Sequence, residues 1–330
     1  MRASLYILLA VILVLAPTST IVDYARNQEQ RHLRAAEQIG TRFDLPDAGV
    51  IAAPEDAQRI LTAAADEYRT NILRVSVESS EREHIHYYIY LGAQDTLLFD
   101  IIDLSRGTWP SAAGLKLGQT VTTVELATGQ VVGTPNVVAR RYELSIQPLE
   151  TSYARLPAAG TYTVEAPTRD ARDAFLQHIA KTLTELTGQE YTVADLNPLD
   201  PSEVANGQSQ TTASRFFLYA PYLLTLIAAT LLPATVTRAG RQLGALSLHG
   251  YSNTRIWYAT TGRPTLMAVG AGFAATIVLS LAVPEMNGTL IHILFLRHTF
   301  ASGVILLVTC SISMAVIRRF KVSDLTKGRL

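Results

Sequence analysis

Apolar residues gather at four places in the chain: residues 4–22, 216–236, 264–284 and 298–317. Each run is about twenty residues long, enough for a helix to cross roughly 30 Å of hydrocarbon. Residues 23–214 contain no comparable run and mix charges of both signs. The pattern therefore predicts an α-helical membrane protein with four transmembrane helices and one large α/β domain inserted between the first two. That divides the chain into a first helix (1–22), a domain with its stalk (23–214) and a three-helix membrane region (215–330).

Inside the inserted domain the period changes from segment to segment. Residues 24–43, YARNQEQRHLRAAEQIGTRF, are polar and helix-prone, and they predict a stalk that continues the first helix. After Pro54, Ile60, Ala63, Ala64, Glu67 and Tyr68 recur at helical spacing, and Ile72 to Val77 alternates as a strand. Ile85 to Leu91 is a second strand, Asp95 to Leu104 a further apolar segment, and Gln119 to Leu126, Arg140 to Ile146 and Thr161 to Glu165 read as β-like pieces. Arg169 to Thr187 places Ala174, Phe175, Ile179, Leu183 and Leu186 on one helical face and stops at Gly188. Tyr191 to Val193 is expected as a last short strand. Alternating helices and strands of this kind form a layered α/β unit. The polar stretch NPLDPSEVANGQSQTT, residues 197–212, is a linker back to the bilayer.

Charge gives the membrane region a direction. The segment 237–263 carries Arg238, Arg241, Arg255 and Arg263 with no Asp or Glu, and the C-terminal residues carry Arg318, Arg319, Lys321, Lys327 and Arg329 against Asp324 alone. The positive-inside bias puts both segments, and with Arg2 the N-terminus, in the cytoplasm, leaving 23–214 outside. A cleaved signal peptide is the alternative for the first run; an uncleaved anchor is favoured because no clean A-x-A site follows it. Within 237–263, Leu243, Leu246, Leu248 and Tyr251 recur at helical spacing. Gly250 then interrupts, and Ile256, Trp257 and Tyr258 resume the apolar side. A short amphipathic helix, a glycine break and a helix entering the membrane follow. One reading leaves the first of these lying in the lipid headgroup layer. Gly270 and Gly272, among alanines in the third run, are the residues that would let helices pack closely.

Composition narrows the chemistry. The 330 residues are 48% hydrophobic, with mean hydropathy +0.19 and zero formal net charge, which suits a mixed membrane and soluble architecture and gives no basic signal for nucleic acid. A single cysteine, Cys310, forms no intrachain disulfide. His84 and His86 share one face of a strand, a spacing that can bind metal; a solvated strand face is the expected reading, since no third ligand stands near in sequence. Gly107, Gly114, Gly118 and Gly129 do not form a phosphate loop, and G-x-x-x-x-G-K-[ST], G-x-S-x-G and H-E-x-x-H are all missing from the sequence. Neither an enzyme site nor a cofactor or metal site is expected. Residues 285–297 read as a brief external excursion, with Glu285, His292, Arg297 and His298 as interface residues at the outer helix ends.

The basic residues followed by GALSLHGYSNTRIWY resemble the cytoplasmic coupling segment of FtsX/MacB-type ABC transporter permeases. The matching residues are Arg241, Leu246, Leu248, Gly250, Tyr251, Ser252, Arg255, Ile256 and Trp257. The phrase around Gly250 and the final VSDLTKGRL are most similar to the bacteriocin-associated integral membrane protein family. The resemblance implies a multi-pass permease of the bacterial cell membrane, both termini cytoplasmic, working with a separate cytoplasmic ABC ATPase in bacteriocin or peptide export or immunity. Arg241, Leu243, Leu246, Leu248, Gly250, Tyr251 and Arg255 would be its ATPase-coupling residues. Since no internal repeat is visible, the chain would pair as a homodimer or heterodimer with a second permease, in contact with membrane lipid. A sensor or scaffold without an ATPase is the alternative.

Overall fold

The computed structural model describes residues 2–47, 53–79, 82–124, 129–197 and 249–319, with scattered positions between 223 and 248. It divides into two compact units: residues 1–24 with 209–330, and residues 25–208.

The second unit is built on one eight-stranded mixed sheet. In chain order its elements are the end of helix α1 (Arg2–Leu33), α2 (Ala35–Ile39), β1 (Thr41–Leu45), α3 (Pro54–Tyr68), β2 (Asn71–Ser79) and β3 (Glu83–Leu91), then α4 (Leu98–Ile101), β4 (Leu104–Gly107), α5 (Ala112–Lys116) and β5 (Gln119–Thr122), and finally β6 (Gln130–Pro135), β7 (Glu143–Pro148), β8 (Gly160–Glu165) and α6 (Arg169–Thr187). The strand order is β1-β8-β2-β3-β7-β5-β6-β4. β2 and β3 form a hairpin paired from Asn71↔Leu91 to Ser79↔Glu83, and β7 lies parallel to β3 on its other side.

Strand alternation gives each face its own core. One face sends Phe43, Ile72, Tyr88, Tyr162 and Val164 against Leu61 of α3 and Phe175, Ile179 and Leu183 of α6. The other sends Leu73, Ile85, Tyr87, Ile89, Leu144 and Ile146 against Ala35 and Ala36 of α2, Leu98 and Leu115. Local signals set the helix ends. Thr168 Oγ1 accepts from the Ala171 amide at the start of α6, and Gly188, at φ +71°, ends it in the left-handed conformation that costs glycine least.

Three expectations need correction. Residues 41–43 do not continue the stalk; they enter β1, which pairs with β8 from Thr41↔Val164 to Leu45↔Gly160. Tyr191 to Val193 is not a strand, because Asp195 accepts from both the amide and the hydroxyl of Thr192 and closes a turn there. The third concerns the end of α1: the helix runs on to Leu33 as expected of the stalk, but its last turns are buried against other parts of the α/β domain. Gln28 is only 2% exposed; its Nε2 donates to Asn136 O at 2.7 Å, and its Oε1 accepts from the Val138 amide at 3.0 Å. One turn later His32 Nδ1 lies 2.6 Å from the Tyr142 hydroxyl, Tyr87 donates its hydroxyl to His32 O, and Glu29 pairs with Arg141 Nε at 2.6 Å. A carboxamide with both atoms bonded to buried backbone is a specific clamp rather than a greasy contact.

Three helices among the described residues are long and apolar enough to cross a membrane: Ile7–Leu33, which runs on into the second unit, and Asn253–Ala282 and Gly288–Arg318 in the first. The expected span 216–236 lies largely outside the described residues, so candidates stand at three of the four expected positions. The last helix also begins earlier than expected. A helix runs from Gly288 to Arg319, with Asn287 Oδ1 accepting from the Leu290 amide at its start, so only residues 283–287 separate it from its predecessor. The external excursion over 285–297 is therefore mostly helix, since nothing in TLIHILFLRH, residues 289–298, breaks a helix, and His292 and Arg297 take exposed positions on it.

Candidate functional site

The segment singled out in the sequence is described from Ala245 onward, with Ser247 excepted; Arg241 and Leu243 lie outside the described residues. A helical turn holding Ala245, Leu246 and Leu248 ends where the His249 amide bonds Ala245 O at 3.2 Å and the Tyr251 amide bonds Leu246 O at 3.2 Å. The second bond reaches back five residues, and Gly250 between them has φ +75°. These are the marks of a glycine-ended helix, in which the left-handed residue turns the chain so that a later amide meets an orphan carbonyl. A hypothetical Cβ on Gly250 would meet nothing within 4 Å, so the constraint there is the backbone angle alone.

Beyond the break, the chain starts again as α7 (Asn253–Trp257), passes through a π turn over Tyr258–Gly262, and continues as α8 (Arg263–Ala282). Pro264 accounts for the wide turn, because its ring displaces the carbonyl four residues back and it has no amide to bond. Threonine hydroxyls take over the loosened carbonyls: Thr260 Oγ1 donates to Ile256 O at 2.8 Å, and Thr265 Oγ1 donates to Thr261 O at 2.7 Å. Thr261 Oγ1 also lies 3.3 Å from Ser313 Oγ of α9 (Gly288–Arg319), a polar link between two apolar helices. The Trp257 ring fills the space beside Gly262, where an added Cβ would come within 2.8 Å of it.

The apolar and basic side chains around this break face outward. Leu248 is 66% exposed, and Tyr251 and Arg255 are exposed, with the Arg255 guanidinium 5.2 Å from the centre of the Tyr251 ring. Leu246 is half-buried. An exposed leucine and tyrosine beside an arginine can serve as anchors and charged rim for a partner groove, or sit in a headgroup layer.

The two packing glycines part ways. Gly272 is buried, and a Cβ there would lie 2.8 Å from Leu13 Cβ and 2.7 Å from His298 Cε1, so it lets three helices of one chain meet. Gly270 is exposed, with nothing of this chain within 4 Å of its would-be Cβ. His298 is not at an outer helix end. It lies about three turns inside α9, 1% exposed, edge-on to Phe273 at 4.4 Å, with Ser302 Oγ 3.3 Å from Nε2.

The histidines at 84 and 86 are not a solvated strand face either. Both are buried, and their rings stack at 3.8 Å. His84 Nε2 and His86 Nδ1 converge on Ser145 Oγ of β7, at 3.1 and 2.9 Å. The signal that sequence reasoning missed is the parallel β3–β7 pairing, which sets His86 opposite Ser145 across 59 residues of chain. Among the described residues, no group of three or more His, Cys, Asp or Glu could hold a metal ion.

No protein-family model matches the chain, and no curated protein matches it. Among solved structures, the chain is similar to the extracellular domain of the noncanonic ABC-type transporter YknZ from Gram-positive bacteria. The identity is 13% and the TM-score 0.30, over 46% of this chain and 96% of that one. A likeness at that level carries no argument by itself, so the functional reading rests on this chain's own elements.

Proposed function

We propose that the chain is the membrane subunit of an FtsX/MacB-type ABC transporter, coupling ATP hydrolysis in a separate cytoplasmic ATPase to movement of its α/β domain. Its setting would be bacteriocin or peptide export or immunity. The observation that carries the reading is the end of α1. A helix with a span-like apolar stretch finishes with Gln28, Glu29 and His32 clamped into the α/β domain, so a displacement of that helix along its axis is handed to the segment Asn136–Tyr142 rather than lost in a loop. A scaffold has no need of such a clamp, nor of a basic, glycine-broken segment with an exposed Leu248.

In this reading the segment around Gly250 docks on the ATPase. Leu243, Leu246 and Leu248 are the anchors, Arg241 and Arg255 the rim, and Gly250 and Tyr251 the bend. Both termini are cytoplasmic, the α/β domain faces outward, and the working unit contains two permease chains. The test is co-purification of the full-length chain with an ABC ATPase from the same genome, sought first among the neighbouring genes. Truncating a well-buried anchor commonly costs more than about 1 kcal/mol of binding, and a buried carboxylate costs more. Leu246→Asp is therefore expected to remain in the membrane with its domain folded but to lose the ATPase. A Leu246→Asp chain that still binds and stimulates the ATPase removes this segment from the coupling interface.

A further inference from the structure

The face of the sheet that carries α3 and α6 holds a polar grid at the turn end of the β2–β3 hairpin. Register sets Glu78 of β2 and Glu143 of β7 on either side of His84, and Ser76 and Ser145 on either side of His86. Tyr88, beside Arg74 and Gln147, closes the row, and its ring stacks on His86 at 5.9 Å. Arg155, which follows the 3-10 segment Leu149–Ala154, reaches Glu78.

The contacts run in one line. Glu143 Oε2 lies 3.5 Å from His84 Nδ1, His84 Nε2 is 3.1 Å from Ser145 Oγ, Ser145 Oγ is 2.9 Å from His86 Nδ1, and His86 Nε2 lies 3.4 Å from Glu78 Oε2. Gln147 Nε2 donates to the same serine oxygen at 3.2 Å. The hydrogens along that line can be counted. A ring nitrogen this close to a carboxylate oxygen is attracted only if it carries a hydrogen, so His84 Nδ1 and His86 Nε2 both need one. Ser145 has one hydrogen to give and two lone pairs. Gln147 occupies one lone pair, so the serine must donate to one ring and accept from the other. The complete line thus needs three ring hydrogens, whereas two neutral imidazoles supply two. With both rings neutral, one contact of the line, to a carboxylate or to the serine oxygen, sets two lone pairs against each other.

We propose that His84, Ser145 and His86 form a one-proton site: the rings take up a single proton from the medium, Ser145 passes it between them, and Glu78 and Glu143 hold the two ends. Passage needs no net chemistry. His84 Nε2 gives its proton to Ser145 Oγ while the serine hydrogen moves to His86 Nδ1, and the positive charge changes ring. A second proton would set two cations face to face at 3.8 Å, so uptake stops at one. Burial opposes the uptake and outweighs the carboxylates. It holds His84 below its usual value and, together with the neighbouring His84 and Arg155, brings His86 down to about 4, so the site fills on acidification. Arg155 Nη1 already lies 3.4 Å from Glu78 Oε2. A proton on His86 places a second cation on that oxygen and draws β2, β3 and the 3-10 segment together, an acid-closed clasp at the hairpin end.

The experiment is a titration of the full-length chain in lipid nanodiscs, ring-¹⁵N-labelled at histidine, with His84 and His86 assigned by His84→Asn and His86→Asn. If one proton is shared, both rings shift in a common transition on the acid side of about 6.5, each by about half of the full protonation shift, as expected for coupled sites. Ser145→Ala keeps both rings but removes the bridge, and is expected to split the common transition so that one ring takes the full shift. Full shifts of both rings at separate midpoints, no shift of either before the fold is lost, or an unchanged pattern in Ser145→Ala would each overturn the proposal.

Discussion

Replacing Gln28 by Leu keeps the volume of the side chain close to that of glutamine and removes both of its hydrogen bonds. Two backbone groups, Asn136 O and the Val138 amide, are then left facing an apolar side chain where water does not reach; Val138 is fully buried and Gln28 itself nearly so. Leaving a buried polar group unpaired costs about 1–3 kcal/mol, so two should cost about 2–6 kcal/mol, less about 1 kcal/mol regained from burying an apolar side chain instead of an amide. For a domain of this size a net loss of about 1–5 kcal/mol lowers the melting temperature by roughly 2–20 °C. Near-ultraviolet circular dichroism of the full-length chain in detergent reads the melt. Gln28→Glu sharpens the test, since a carboxylate can still accept from Val138 but sets an oxygen against Asn136 O; it is expected to be at least as damaging as Gln28→Leu near neutral pH. If both variants melt within about 1 °C of the unaltered chain, the clamp contributes nothing and the reading of α1 as the domain's fixed lever loses its support.

The packing glycines give a paired expectation: Gly272→Leu drives a side chain into Leu13 and His298 and should cost about 1–3 kcal/mol of helix packing within the chain, whereas Gly270→Ala, in open space, should leave the detergent-solubilised protein's melt unchanged. The pH dependence has a definite sign. His84 and His86 are held neutral by burial, so the unfolded chain binds more protons than the folded one below the ordinary histidine value of 6.5, for His86 down to about 4. Their contribution to stability is then fully present above pH 6.5 and lost as pH falls toward 4, and an acid melt series should lose that slope in a His84→Asn, His86→Asn double variant. Orientation is read by cysteine labelling after replacing Cys310. Ser79→Cys is expected to react with an impermeant reagent in intact cells and Ser247→Cys is not, and labelling at 247 from outside would reverse the topology.

Much of the architecture is local and therefore legible in the residues themselves. The helix Arg169–Thr187 carries its own cap, its own apolar stripe and its own stop at Gly188, and the structure places it over the residues the periodicity predicts. The apolar runs ending at Ala282 and Arg319 declare their helices by composition, although not their starts: Pro264 and the polar residues near His292 suggested boundaries that a π turn and a helix with exposed polar positions do not respect. Gly250 belongs with the legible features, because a left-handed break needs only the residue at the break, the amide after it and a carbonyl five positions before that amide.

What only the tertiary structure decided are the fates of polar residues whose partners are far away in sequence. Gln28 and His32 look like part of a polar helical stalk until Val138 and Tyr142, each 110 residues further on, supply their hydrogen bonds. Residues 41–43 look like more of the same stalk until β8 offers an edge to pair with. His84 and His86 look like an exposed strand face until β7 sets Ser145 between their rings and Glu143 at one end. The physical reason is common to all three. Apolar burial leaves a period that a sequence displays, but a buried polar group is tolerated only where another group meets its hydrogens and lone pairs, and the identity of that group is set by strand register and chain crossing, which no local pattern records.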